Sequence, residues 1–306
     1  MHSSDSFRYL VLLLKVDTFM KICRFSRPDS SIGWGLMTAA GIQDISRADS
    51  SLPMRMTEVI QRWTQLSPKI LSLAKDTPVT SEELQILCPL DQPKKILCIG
   101  LNYRDHALET GQPIPEEPIV FCKMAPAMIG PNEPIVLPRV STSVDYEAEL
   151  VVVMGGRVRH ADETAAMKAI FGYTVGHDVS ARDWQTGKPG RQWFLGKSFD
   201  TFAPMGPSIT TADAIPDPTN LKIQCRINGE TMQNGSTKEM IFSPVQLIMY
   251  LSQVMTLEEG DVIFTGTPPG VGVARKPQRF LKDGDMVEIE IEDLGVLRNP
   301  CVAERE

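Results

Sequence analysis

Residues 145–156, DYEAELVVVMGG, place an acid at every second position and then continue into an apolar run. Because alternate side chains of a strand point to opposite faces, Asp145, Glu147 and Glu149 are predicted to share one face. Residues 150–154 form a continuous, largely β-branched run, which is typical of a strand covered on both sides. Ionised carboxylates this close to a core need raised pKa values, basic side chains from elsewhere or a divalent cation. The alternative is an edge strand with all three acids in water.

The composition limits the classes of partner. A chain of 306 residues with 42% hydrophobic residues can bury a substantial core. Its net charge of -7, with no dense basic run, argues against nucleic acid and anionic membranes and favours small molecules. The six cysteines are scattered without a CxxC pair, as expected of reduced thiols in an intracellular protein. We therefore expect a cytoplasmic location, with mitochondrial import as the alternative.

The chain divides into three predicted regions. Residues 1–19 hold only a short apolar run at 9–14, far below the roughly 20 residues of a membrane-spanning helix, and are expected to be an extension outside the fold, with disorder left open. Residues 20–90 are predicted to form a small mixed N-terminal region and linker, with weak periodicity over 76–95. Residues 91–306 are predicted to form the main domain. Short strands dominate from residue 96 onward, which favours an α+β, mainly β fold.

Three local patterns predict particular elements. Residues 162–171 are predicted to form a short helix capped by Asp162. Asn228 and Gly229 tolerate the positive φ of a type I′ turn and predict a hairpin. Ser243 followed by Pro244 predicts the start of another helix, with Ser243 as its cap.

Two groups of residues are candidates for a metal site and an acid–base pair. Glu147, Glu149 and Asp178 would provide the oxygen ligands that a hard cation such as Mg²⁺ prefers. His106 and Glu109 are three residues apart, so on a helical turn the carboxylate can orient the imidazole and raise its basicity. Alone, the first spacing is common on strands, and the second also fits an exposed turn with an incidental ion pair.

Further candidates follow in the sequence. Arg182 and Gln185 are compatible with one helical face, and Lys197 follows an apolar stretch where partial desolvation would let it neutralise developing charge. The loop TGTPPGVG, residues 265–272, lacks the GK[ST] ending of a phosphate loop, so nucleotide binding is rejected. Its Thr267 could meet a substrate carboxylate. A solvated lysine and a purely structural turn are the alternatives.

Seven motifs, taken in order, resemble the fumarylacetoacetate hydrolase family over residues 92–298. They are CIGLNYRDHALE, PIVFCKMAPAMIGP, DYEAELVVVMG, GYTVGHDVSARDWQ, LGKSFDTFAPMGP, INGE and FTGTPPGVG. The resemblance implies a mixed β-sandwich roll and a homodimer. It implies Mg²⁺ or Mn²⁺, with Ca²⁺ also open, held by Glu147, Glu149 and Asp178. It also implies a His106–Glu109 dyad, an active-site Lys197, and substrate contacts from Arg182, Gln185 and Thr267.

The chemistry of these groups suggests several reactions on a 2-oxo or 2,4-dioxo acid. With the cation as Lewis acid, His106 could activate a water for hydrolysis of a carbon–carbon bond, as in an acylpyruvase, while Lys197 receives the developing charge. We rank this reaction first and keto–enol tautomerisation of oxaloacetate, or its decarboxylation, second. A hypothesis of another class is a non-catalytic protein that binds a metal or a metabolite.

Overall fold

The structure is a computed structural model that describes residues 20–305, so the predicted extension 1–19 lies outside the described residues. Strands and helices are numbered here in chain order within that range. Strands β1–β18 are Lys21–Ser26, Ile32–Thr38, Gly41–Gln43, Gln85–Leu87, Ile96–Gly100, Ile119–Lys123, Met128–Ile129, Ile135–Leu137, Val144–Asp145, Ala148–Met154, Ile170–His177, Ser180–Ala181, Ala203–Thr211, Lys222–Ile227, Glu230–Ser236, Val262–Phe264, Met286–Ile291 and Gly295–Ala303. Helices α1–α8 are Ile45–Ala48, Met56–Gln61, Trp63–Asp76, Arg104–Glu109, Glu163–Lys168, Arg182–Gln185, Trp193–Lys197 and Pro244–Val254.

The largest sheet runs β3-β2-β1-β13-β11-β10-β16-β5-β6, with β4 beside β1 and β7 beside β13. Most neighbours are antiparallel, whereas β16 pairs with β5, and β7 with β13, in parallel. The N-terminal strands continue this sheet, because Ile22 of β1 lies opposite Ile209 of β13. Strands β11 and β10 lie at the centre of this sheet.

A second sheet, in the order β15-β14-β17-β18-β8, packs against the first. Strands β11 and β13 of the large sheet contact β17 and β18 of the second, and the buried hydrophobic side chains form one continuous cluster. The predicted α+β, mainly β architecture is therefore confirmed. No helix among residues 20–305 is long and apolar enough to cross a membrane.

Several local predictions are confirmed. All residues of β10 are buried, as the apolar run predicted. Asp162 caps α5 by accepting from the Ala165 amide, and Ser243 caps α8 in a capping box. At the β14–β15 hairpin, Asn228 and Gly229 have φ of 53° and 82°. These positive φ values are those that a type I′ turn requires.

Two boundaries differ from the predictions. Helix α5 ends at Lys168 rather than at 171, because residues 170 and 171 already belong to β11 and pair within the large sheet. The stretch 76–95 is not a linker throughout, since residues 85–87 form β4 and pair with β1. Pairing with a distant strand orders this segment, and its weak local pattern carries no sign of it.

Candidate active site

A cavity of about 200 Å³ opens where the ends of the central strands meet α4, α6 and α7. The structure brings seven of the nine predicted site residues to its wall, whereas Glu109 and Asp178 lie directly behind lining residues. The lining members are His106, Glu147, Glu149, Arg182, Gln185, Lys197 and Thr267. Residues that are far apart in the sequence therefore lie together around one cavity.

The register of two central strands brings the three predicted metal ligands together. In the antiparallel pair of β10 and β11, Ala148 lies opposite His177, and the Asp178 amide donates to the Glu147 carbonyl at 3.0 Å. The carboxylates of Glu147, Glu149 and Asp178 each offer an oxygen within 4.8 Å of the others, and all three residues are buried. The Gly266 amide donates to Glu149 Oε2 at 2.7 Å.

Two cations hold Glu147 in place. Lys197 Nζ donates to Glu147 Oε2 at 2.9 Å and to Asp178 Oδ2 at 2.7 Å, while Arg182 Nη2 donates to Glu147 Oε1 at 2.6 Å. Burial disfavours the charge on Glu147, but Lys197 and Arg182 outweigh it and hold the pKa of this carboxyl below its usual range. The same contacts raise the pKa of Lys197 despite its burial. Glu147 and Lys197 are therefore both charged.

Asp145, the first acid of the alternating stretch, lies outside the three-carboxylate group. The strand pattern is interrupted after it, since β9 ends at Asp145 and β10 begins at Ala148. Its Oδ2 accepts from Arg182 Nε at 2.8 Å, and its Oδ1 accepts from the Gly272 amide at 2.6 Å. Asp145 therefore anchors Arg182 and residues 265–272, which we call the glycine-rich loop.

His106 and Glu109 form the predicted pair on α4. His106 Nδ1 lies 3.2 Å from Glu109 Oε2, and Glu109 Oε1 accepts from the Gly270 amide at 2.9 Å. The Glu109 carboxylate is therefore held by the glycine-rich loop. Its bond to His106 Nδ1 fixes the orientation of the imidazole ring. His106 is buried and lines the cavity, so its other nitrogen, Nε2, is the one left for a ligand.

Close helix packing brings Gln185 and Lys197 to the same wall. A Cβ at Gly196 of α7 would lie 2.6 Å from the backbone nitrogen of Gln185 on α6, so only glycine allows this approach. The side chain of Gln185 accepts from Arg182 Nη1 at 2.9 Å. Thr267, another lining residue, accepts a hydrogen bond at Oγ1 from Gln233 Nε2 at 2.8 Å.

The acidic group fits a divalent cation. Asp178 Oδ1 is buried and receives no hydrogen bond from the described residues. Lys123 Nζ is 2.7 Å away, but it donates to the carbonyls of Val179, Lys197 and Phe202. Burial, with Asp178 and Glu147 nearby, raises the pKa of Glu149 well above its usual range. A carboxylate oxygen that accepts no hydrogen bond, together with two more carboxylates, is an oxygen ligand set of the kind that Mg²⁺ and Mn²⁺ prefer.

Two buried polar residues near the site, Lys123 and Gln233, were not assigned a role from the sequence. Lys123 forms an ion pair with Asp178. Gln233 positions Thr267 by donating to its hydroxyl, and its Oε1 accepts from the Ala148 amide at 2.9 Å. His177 is fully enclosed, and burial beside Lys123 lowers its pKa to about 3, so it is neutral. Lys123 and Gln233 follow residues of strand character, and no local pattern distinguishes them from surface positions.

Comparison with known proteins extends these observations. Residues 95–302 match the family described as fumarylacetoacetate (FAA) hydrolase, C-terminal. A Bos taurus protein named oxaloacetate tautomerase FAHD2A, mitochondrial, is 46% identical over 288 residues, which are 92% of this chain and 92% of that protein.

Two solved structures are similar over nearly the whole chain. A fumarylacetoacetate hydrolase from the psychrophile Exiguobacterium antarcticum has a TM-score of 0.82 at 35% identity, covering 93% of this chain and 100% of that one. Maleylpyruvate hydrolase from Sphingobium sp. SYK-6, in complex with manganese(II) ion and pyruvate, has a TM-score of 0.77 at 29% identity, covering 94% of this chain and 100% of that one.

Proposed function

Since the chain belongs to the fumarylacetoacetate hydrolase family, we propose that it is an oxaloacetate tautomerase, which interconverts the keto and enol forms of this four-carbon diacid. The family assignment made from the motifs is confirmed, as is its consequence that the protein is a member of an enzyme family. One observation carries the choice of reaction: the bovine relative that aligns over nearly its whole length has this name. The activity ranked second from the sequence therefore becomes the first.

The positions of His106 and Glu109 support a proton transfer. Tautomerisation removes a proton from C3 of the keto form and places one on the C2 oxygen, and the reverse reaction returns it. His106 Nε2 would take the proton from C3 in the forward direction and return it in the reverse direction, because Nδ1 is held by Glu109. The C2 oxygen would receive its proton from water and give it back to water in the reverse direction. The Gly270 amide holds Glu109 from the other side, so the ring keeps one orientation throughout the transfer.

Glu147, Glu149 and Asp178 would hold a divalent cation, for which we propose Mg²⁺ or Mn²⁺. When bound, it would act as a Lewis acid that increases the acidity of the carbon next to the 2-oxo group. Asp178 Oδ1, which receives no hydrogen bond from the described residues, supports this assignment.

The remaining predicted residues would bind and orient the substrate. Lys197 directs two N–H groups at Glu147 and Asp178, which leaves one for a substrate oxygen. Arg182 is fixed by Asp145 and Glu147, and it in turn orients Gln185. We propose that Gln185 and Thr267, which both line the cavity, supply neutral hydrogen bonds to the substrate.

The cavity volume is consistent with a small diacid. About 200 Å³ is below the range of roughly 300–1,000 Å³ typical of drug-sized ligand sites. A substrate with a long acyl chain would have to extend out of the cavity.

The first test follows the ultraviolet absorbance of enol-oxaloacetate with Mg²⁺ or Mn²⁺ and with EDTA. We expect His106→Asn to reduce the tautomerisation rate about 100-fold or more, as for the loss of a general base, without weakening Mn²⁺ binding measured by calorimetry. His160→Asn is the matched control, because His160 is exposed and Asn tolerates its φ of 53°. Unchanged turnover in His106→Asn would remove this residue from the proton transfer.

A second variant separates the metal site from the base. Glu149→Gln should abolish both Mn²⁺ binding and activity, whereas Glu163→Gln, at an exposed position of α5, should affect neither. If Glu149→Gln bound Mn²⁺ with the affinity of the unchanged protein, the proposed ligand set would be wrong. If the unchanged protein altered neither oxaloacetate absorbance nor that of any 2,4-dioxo acid, the non-catalytic binding hypothesis would replace the proposal.

Hydrolysis of a carbon–carbon bond is the second candidate. It is favoured by the similarity to maleylpyruvate hydrolase in complex with manganese and pyruvate. In this reaction His106 would remove a proton from water as the water adds to the distal carbonyl of a 2,4-dioxo acid. With acetylpyruvate as substrate, one water is consumed and acetate and pyruvate are released. An assay for pyruvate distinguishes this reaction from tautomerisation, which releases none.

The remaining expectations are also proposals. We propose a mitochondrial location rather than the cytoplasmic one expected first, because the bovine relative is named as mitochondrial. We also propose a homodimer and retain the division at residue 90 between the N-terminal region and the catalytic domain. Fractionation of cells and the molar mass in solution test the first two of these proposals.

A further inference from the structure

The cavity has a buried inner end and an exposed mouth. The inner end is formed by buried residues, namely His106, Glu147, Glu149 and Lys197. At the mouth the lining residues Gln112, Thr186 and Arg191 are exposed. A substrate whose 2-oxo acid group occupies the inner end therefore presents its other end to the mouth.

Arg191 differs from the other cations of the cavity wall. Arg182 is paired with Asp145 and Glu147, and Lys197 is paired with Glu147 and Asp178. The guanidinium of Arg191 has no ion pair or hydrogen bond with any residue in the range 20–305. It is therefore available to pair with a negatively charged ligand.

The loop between α6 and α7 presents this arginine. Arg191 has a φ of 52° and follows Gly190, whose φ is 77°, and its amide donates to the Lys188 carbonyl at 3.1 Å. A positive φ is uncommon for a residue other than glycine. Lys188, the other cation of the loop, does not line the cavity, because its Nζ lies over the Trp184 ring at 4.6 Å from the centroid.

We propose that Arg191 is a specificity-determining residue that binds the distal carboxylate of a four-carbon diacid at the cavity mouth. The inference rests on the proposed function, since it assigns the second carboxylate of oxaloacetate. A guanidinium can donate two parallel N–H groups to one carboxylate, which gives directional as well as charge recognition. Substrates with a methyl group at that position cannot make this contact, so Arg191 favours diacids over monocarboxylates.

The kinetic test compares Arg191→Gln with Lys188→Gln. We expect Arg191→Gln to raise the KM for oxaloacetate about tenfold, the effect of losing one partly exposed charged contact, with kcat nearly unchanged because the reacting atoms lie at the inner end. Lys188→Gln removes the same charge from the same loop and should leave KM unchanged. Arg191→Lys should restore part of the affinity through charge alone. An unchanged KM in Arg191→Gln, or an equal rise in Lys188→Gln, would overturn the inference.

A binding test distinguishes this inference from the proposed function. Malate and 2-hydroxybutyrate have the same number of carbons and differ in the distal group, which is a carboxylate in one and a methyl in the other. By calorimetry with Mg²⁺, Arg191→Gln should weaken malate about tenfold and leave 2-hydroxybutyrate unchanged.

If this pattern held in a protein that did not tautomerise oxaloacetate, the proposed function would fail and the carboxylate site would stand. If the protein tautomerised oxaloacetate but Arg191→Gln changed neither KM nor malate binding, the inference alone would fail.

Discussion

Replacement of Lys123 by methionine tests how the charges of the site are held. The side chain of Lys123 is fully buried below Asp178, where its Nζ lies 2.7 Å from Asp178 Oδ1. It donates to the carbonyls of Val179 and Phe202 at 3.0 and 2.8 Å and to that of Lys197. Methionine keeps most of the aliphatic volume, so Lys123→Met removes the charge and the donors without opening a large cavity.

The expected loss follows from these contacts. Removing one partner of a buried ion pair costs about 3–5 kcal/mol. Each buried carbonyl left without a donor costs about 1–3 kcal/mol. These contributions overlap, because the carbonyls and Asp178 can shift together, so we expect the free energy of unfolding to fall by about 5 kcal/mol. Because whole domains are stable by only roughly 5–15 kcal/mol, this loss is about a third or more of the total stability.

The measurement is urea unfolding followed by tryptophan fluorescence, since the chain contains four tryptophans. Lys168→Met is the control. Lys168 is exposed in the last turn of α5, so this variant should unfold like the unchanged protein. A loss below about 1 kcal/mol, the value for an exposed ion pair, would refute the conclusion that Lys123 holds Asp178 as a buried cation.

Three further predictions concern helix packing, helix capping and thiol reactivity. Gly196→Ala should separate α7 from α6 and reduce oxaloacetate tautomerisation at least tenfold, about 1.4 kcal/mol in barrier; Gly156→Ala, whose Cβ would meet its nearest neighbour at 3.4 Å, should retain the rate. Ser243→Ala removes the cap of α8 and should lower the free energy of unfolding by about 1 kcal/mol in urea titrations, whereas retained stability would show that the capping bonds contribute nothing. Native protein treated with iodoacetamide should be labelled at Cys122, the exposed thiol, with a single modification found by mass spectrometry. Burial raises the pKa of Cys23, Cys88 and Cys301 to about 12, so these thiols should react only after denaturation, and their labelling in the native protein would contradict the core packing.

The sequence predicts well those elements whose signals are local. The cap at Asp162, the turn at Asn228 and Gly229, and the capped start of α8 each depend on residues within a few positions. The short strand β4 has no such signal, because it is ordered by pairing with β1, more than fifty residues earlier in the chain.

The candidate site illustrates the same limit. Alternation in the sequence predicted that Glu147 and Glu149 share one face, but their proximity to Asp178 required the register of β10 against β11. Lys123 was missed because it ends a strand with exposed positions, as a solvated lysine would. It is buried because the end of α7 and Phe202, which precedes β13, cover it, and spacing in the sequence cannot reveal that arrangement.

The pairing of charges at the inner end of the cavity affects how such a protein can change its substrate. Glu147, Arg182 and Lys197 each bind two oppositely charged neighbours. Replacing any one of them would therefore leave an unpaired charge inside the protein. Arg191 has no such ion pair among residues 20–305, so its replacement should alter ligand preference with little effect on folding. Evolution toward a new small-molecule substrate should therefore begin at the cavity mouth and leave the inner end unchanged.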